Sequence, residues 1–119
     1  MRRLEDDRLL RGQGRFVDNL NFSKQAYLHI VRSYLGHAEI KNIIIDSISG
    51  MSGVLAVFTG EDLARDGILP IPVTLPYKRP GGEPALSAPY HALAQERVRF
   101  VGQPVAVVVA ESKAEALEA

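Results

Sequence analysis

With 119 residues, 46% hydrophobic and 24% charged, the chain has the make-up of an ordinary globular domain that buries roughly two-thirds of its unfolded surface. Lys plus Arg and Asp plus Glu each number 14, so a formal net charge of zero supplies no field for nucleic acid or an acidic membrane. The absence of cysteine excludes disulfides, thiolate-bound zinc or iron-sulphur clusters and a cysteine nucleophile.

No apolar run approaches the length of about 20 residues that spans a bilayer. Met1-Arg2-Arg3 leads into Glu5-Asp6-Asp7 instead of a signal-peptide core, so a cytoplasmic product is expected. Arg2 to Arg11 is dense in charge, with Leu4, Leu9 and Leu10 as its large anchors, and is expected to form an extended arm. Gly12-Gln13-Gly14 permits a turn, and Phe16 to Leu20 suits a short edge strand closed by Asp18 and Asn19. Ala26 to Ser33 alternates, with Leu28, Ile30 and Arg32 on one side and Tyr27, His29 and Val31 on the other, as in a strand within a mixed sheet. His37 to Asp46 alternates and then carries three consecutive isoleucines, which predicts a strand passing from one layer into another.

Serines 47 and 49 can cap a short helical turn before Gly50 and Gly53, and Val54 to Phe58 is an apolar strand. Thr59 with Glu61 and Asp62 forms a helix start, and Gly67 a stop. All but one of the seven prolines fall within 67–90, together with Gly81-Gly82, so a long Pro-rich loop is expected there. Ile68, Leu69, Ile71, Val73, Leu75 and Tyr77 make it too apolar for a free linker and point to contact with a partner surface.

Val98 to Val101 begins as a half-polar strand, breaks at Gly102-Gln103-Pro104, and resumes as Val105 to Ala110. The second piece has no polar face and is expected at the centre of the core, covered on both sides. Ser112 and Glu115 then have the spacing of a capping box. The helix they open runs about two turns to Ala119, which suggests a single domain over 1–119 that is a fragment of a longer chain ending inside a helix. These elements predict a small α+β domain built on a mixed β-sheet with short helices.

Several residue groups invite a chemical role. His29, His37 and His91 share no metal-ligand spacing, and Gly12-Gln13-Gly14 lacks the preceding strand and following helix of a phosphate cradle. Ser33 and Ser52 have no nucleophile motif or evident base, and Glu5-Asp6-Asp7 suits a solvated run or pairing with Arg2, Arg3 and Arg8. Lys78-Arg79 offers two positive charges inside the loop, weak grounds for an acidic partner or phosphate. Arg99 is expected to face solvent or pair with an acid while Val98 and Phe100 supply burial. Gly102, Gln103 and Pro104 combine close backbone approach, a carboxamide and a fixed chain direction, which suits either a self-satisfied turn or a domain interface. No catalytic, cofactor-binding or metal residue is assigned.

Four stretches, in order, carry a resemblance: Arg3 to Asp18; Leu28-His29 with Val31-Arg32-Ser33 and His37-Ala38; Gly53-Val54 with Val57 to Leu63; and Val98 to Ala106. Together they resemble the N-terminal segment of the large subunit of molybdenum hydroxylases, the family of xanthine dehydrogenases, aldehyde oxidases and aerobic carbon monoxide dehydrogenases. The resemblance implies an α/β-hammerhead domain of an oxidoreductase that hydroxylates carbon with oxygen from water. It implies a molybdopterin cofactor in downstream domains, and iron-sulphur clusters and FAD in partner domains or subunits. The family's acid-base glutamate lies downstream of this region, so the 119 residues are expected to be inactive alone. The chain departs from the family's Arg-Ser-Pro-His-Ala-His-Ala by placing Tyr34-Leu35-Gly36 after Arg32-Ser33, and it has Phe22-Ser23-Lys24 near the usual Pro-Gly turn.

A stand-alone interaction or carrier-like module is the alternative, because hammerhead hairpins resemble those of lipoyl and biotin carriers. Lys24, Lys41, Lys78 and Lys113 lack the methionine-flanked setting such a carrier needs. Exposed apolar surface also makes a homodimer conceivable.

Overall fold

The computed structural model describes residues 4–72, 77–85 and 89–119. Its main sheet has three strands, β1 (Tyr27–Arg32), β5 (Pro104–Ala110) and β3 (Val54–Thr59), with β5 in the middle. Both neighbours run antiparallel to β5. A separate two-stranded ladder pairs β2 (Ala38–Glu39) with β4 (Arg97–Val98), also antiparallel. Where a mixed sheet is expected, every named strand pairing among the described residues is thus antiparallel, and the α+β class holds.

The central strand forms where valine's branched side chain suits a pleat and where Pro104, lacking an N–H, occupies the strand's first position. Its two faces differ. Ala106, Val108 and Ala110 are sealed, Val108 at 1% exposure, whereas Val105, Val107 and Val109 are only half-buried. Register puts Leu28 and Ala56 beside Val109, and Ile30 and Phe58 beside Val107. Leu28 remains 60% exposed and Phe58 42%. The expectation of cover on both sides is therefore corrected: within this chain one face is packed and the other is an open aliphatic surface.

Short helices bracket the sheet. α2 (Gly60–Arg65) starts at Thr59, whose N–H and hydroxyl both donate to the Asp62 carboxylate at 2.8 Å. It closes where the Gly67 N–H donates to the Ala64 carbonyl. Gly60, buried, lies so close to the Ala94 carbonyl that a Cβ there has no room. α3 (Lys113–Glu118) packs on β1 and β5 through Ala116, and Ser112 accepts from the Glu115 N–H at 3.2 Å. The Glu115 carboxylate accepts from the Ser112 hydroxyl at 2.7 Å and not from the Ser112 N–H, which is half of the expected reciprocal cap.

Three further expectations are corrected. The arm contains α1 (Asp6–Leu10), held by ion pairs from Arg8 to Glu5 and from Arg11 to Asp7, because opposite charges three and four apart meet on a helix. Arg2 and Arg3 lie outside the described residues. Phe16 to Leu20 forms a 3-10 turn over Val17–Asn19 instead of an edge strand, since Asn19 Oδ1 accepts from the Phe16 N–H and curls the chain. The strand expected over His37 to Asp46 shrinks to β2. After Ile40 donates to the Glu96 carbonyl, the isoleucines continue as irregular chain and enter the turn in which Ser49 Oγ donates to Ile45.

The Pro-rich loop is less structureless than its composition suggests. Ile71 donates to Tyr90 at its neck, and Lys78 bridges Pro84 beyond it, with Ala85 donating to Tyr77 and Arg79 to Glu83. Proline's missing N–H keeps these ladders to single bridges. Ile68, Leu69, Ile71 and Tyr77 are exposed, while Val73 and Leu75 lie outside the described residues.

Candidate functional site

The link from β4 to β5 gathers the residues singled out as an interface. Gly102 sits at φ +86, a left-handed conformation glycine adopts without the Cβ clash of other residues, and this turns Phe100-Val101 back toward β5. The turn is pinned to the end of β1 on both sides. Gly102 N–H donates to the Ser33 carbonyl at 2.7 Å, and Ser33 N–H donates to the Gln103 carbonyl at 2.9 Å. Arg32 Nη1 donates to the Gly102 carbonyl at 2.9 Å, and Ala94 N–H donates to the Pro104 carbonyl at 2.8 Å.

Gln103 is 4% exposed. Its Oε1 accepts from the Arg99 N–H at 2.6 Å, which fixes the carboxamide's orientation, and its own N–H donates to Phe100. Half of the amide thus satisfies the local turn. Among the described residues no hydrogen bond leaves Nε2.

Apolar residues also flank the turn. Val98 is buried as expected, but Phe100 is not: it stacks parallel on Tyr90, rings 6.1 Å apart, with both rings partly exposed. Val101 is 67% exposed beside them. Arg99 is exposed and makes no ion pair among the described residues. The anchoring roles of Arg32 and Ser33 were not foreseen. Their signal was present only as a strand end facing a Gly-x-Pro break, which leaves the pairing register open.

The other groups remain apart. His29 and His91 are half-buried, and His37 is exposed with Nε2 3.4 Å from Arg97 Nη1. Among the described residues no three His, Cys, Asp or Glu side chains converge to hold a metal. Gly12-Gln13-Gly14 closes α1, with Gln13 N–H donating to the Arg8 carbonyl. Ser33 Oγ exchanges hydrogen bonds with the Leu35 backbone, Ser52 is exposed, and Lys78 borders the loop hairpin. No helix among the described residues is long and apolar enough to cross a membrane.

A family model for the a/b hammerhead domain of aldehyde oxidase and xanthine dehydrogenase matches residues 11–119. The large subunit of nicotine 6-hydroxylase from Paenarthrobacter nicotinovorans is 38% identical over 117 residues, covering 98% of this chain and 14% of that protein. Reconstituted CO dehydrogenase from Oligotropha carboxidovorans superposes with a TM-score of 0.79 at 30% identity, covering 99% of this chain and 13% of the other. A Cu,Mo-CO dehydrogenase in its carbon monoxide reduced state gives 0.77 at 31% identity, over 99% and 14%. The chain spans 13–14% of the length of these relatives. With its strand order, short capped helices and pinned turn, the chain belongs to the aldehyde oxidase and xanthine dehydrogenase family, as an α/β-hammerhead domain.

Proposed function

We propose that the chain is one domain over 1–119 that serves as the N-terminal scaffold of a cytoplasmic molybdenum hydroxylase large subunit, without catalytic activity of its own. In this reading Arg99, Gly102, Gln103 and Pro104 face the neighbouring molybdopterin-binding domains, and iron-sulphur and flavin subunits or domains complete the assembly. The observation that carries the reading is the family match at 13–14% of the relatives' length. The open sheet face around Leu28, Val107 and Phe58 supports it, because an aliphatic surface of that kind gains by being covered.

There is no cysteine, and among the described residues no cluster of donor side chains converges. The cofactor belongs, in this proposal, to the rest of the assembly, where it supplies hydroxylation at carbon with oxygen from water.

The native gene product tests this. A polypeptide or complex several times the mass of this chain, containing molybdenum and transferring oxygen-18 from labelled water to a heterocycle, aldehyde or carbon monoxide, is the expected result. A native product of 119 residues with no molybdenum partner overturns it.

A further inference from the structure

The main sheet ends, on its β1 side, in backbone groups that the chain itself does not use. Ser33, just past β1, turns both its N–H and its C=O toward the β5 side, to Gln103 at 2.9 Å and Gly102 at 2.7 Å. The register shift beside Arg32 inserts Val105 on β5 and leaves β1 regular. Alternation along β1 then points the N–H and C=O of Leu28 and Ile30 away from β5. The Glu111 N–H, which donates to Gly53 on the β3 side, fixes the same parity along β5 independently. Among the described residues no hydrogen bond reaches the outward groups of Leu28 and Ile30. The opposite edge is blunted. Leu55 is the extra residue of a bulge in β3, and the outward Thr59 N–H is taken up by Asp62 at 2.8 Å.

The start of β1 also lines a cleft of about 880 Å³ between the arm and α3, with Leu20 and Phe22 on one wall and Leu117 on the other. Leu20, Phe22, Leu28 and Leu117 are all exposed, and the exposed Lys113–Asp18 pair joins the walls at 3.5 Å. We propose that the outer edge of β1 takes an added β-strand, an extended segment of the adjoining large-subunit polypeptide, apolar at alternate positions and without proline opposite Leu28 and Ile30. An extended backbone is the ligand that meets paired N–H and C=O groups at a two-residue repeat. Its alternate side chains would lie beside Leu28 and Ile30 and prolong the aliphatic face of Val107 and Phe58. The inference rests on the scaffold reading above, which supplies the occupant: the chain spans only 13–14% of its relatives' length. In a second copy the same edge lines the same cleft behind its own arm and α3, so a lone segment enters where a copy meets wall to wall.

Amide hydrogen exchange along β1 tests this, read residue by residue in the complete native assembly and in the 119-residue chain. In the chain alone, Leu28 and Ile30 should exchange at least about a hundredfold faster than His29 and Val31, whose amides face β5. In the assembly the four should agree within about tenfold, because the added strand takes up the outward pair. A wider gap in an assembly that contains molybdenum and this chain overturns the proposal and leaves the scaffold reading standing. Absence of any larger assembly overturns both. Equal protection already in the chain alone means that the arm or a second copy holds the edge, and overturns it too. A photoreactive residue in place of Leu28 identifies the neighbour. Attachment to large-subunit polypeptide outside 1–119 is expected, and attachment to a second copy or a separate subunit overturns the assignment.

Discussion

At residue scale, close approach and hydrogen bonding decide what can change. Gly60 is buried against the Ala94 backbone carbonyl, which cannot yield as a flexible side chain would. Gly60→Ala is expected to cost about 1–3 kcal/mol, the range for forcing atoms into a packed site, whereas Gly50→Ala, with open space around it, is expected to be close to neutral. Urea midpoints of the two variants check the contrast. Asp62 sets a pH limb: the Thr59 backbone N–H, then the Thr59 hydroxyl and the Arg65 guanidinium, hold its carboxyl below the ordinary value of 3.8. A depressed carboxyl contributes stability above its unfolded value and loses it as pH falls through the folded one. Asp62→Asn should therefore flatten the loss of stability at and below about pH 3.8 while leaving an oxygen for the Thr59 N–H. Urea midpoints at pH 6 and pH 3 measure it, and an unchanged acid limb in the variant would count against the assignment.

Among elements, legibility followed the strength of local signals. β1, β3, β5, α2 and α3 stand where alternation, valine content and Thr59 or Ser112 caps place them, since a period of two and a capped turn are both short-range statements. α1 is hidden by the charge density of the arm, although Glu5–Arg8 and Asp7–Arg11 carry the three- and four-residue spacing of helical ion pairs. The isoleucines after Lys41 misled for another reason: hydrophobic runs report burial, and only pairing with a second strand makes a ladder, which here ends at Glu39 and Arg97. At the candidate site, Gly102-Gln103-Pro104 was legible as a break, but its clamping by Arg32 and Ser33 depends on register across the sheet. The two faces of β5 give a stability test of this layout. Val108→Ala should cost about 2 kcal/mol, the loss of a sealed side chain, while Leu28→Ala should shift the free chain by no more than about 0.5 kcal/mol. Equal costs in equilibrium unfolding would mean the Leu28 face is covered already.

For the whole molecule, extension is the telling property. The Cα radius of gyration is 20.0 Å, against roughly 13–14 Å for a compact chain of this length. Only seven apolar residues are buried among the described ones, and the arm from Leu4 to Lys24 and the described part of the loop beyond Gly67 are exposed at nearly every residue, the arm meeting α3 where Asp18 pairs with Lys113. Leu10, Phe16, Val17, Phe22, Leu69 and Tyr77 are exposed along them. Segments so apolar gain by lying on another surface, and the proposed large subunit offers one. Arg11, Arg15 and Lys78 provide a readout, since all three are exposed and lie outside the main sheet. In the free chain, trypsin should cut after these residues well before Arg32, whose backbone is held in β1 against β5. In the native assembly the same three sites should be protected at least tenfold, the effect of docking worth about 1.4 kcal/mol. Protection already present in the free chain would mean that the arm and loop fold back on this domain. Continued cleavage in the assembly would leave them as surface appendages and remove their part in the scaffold.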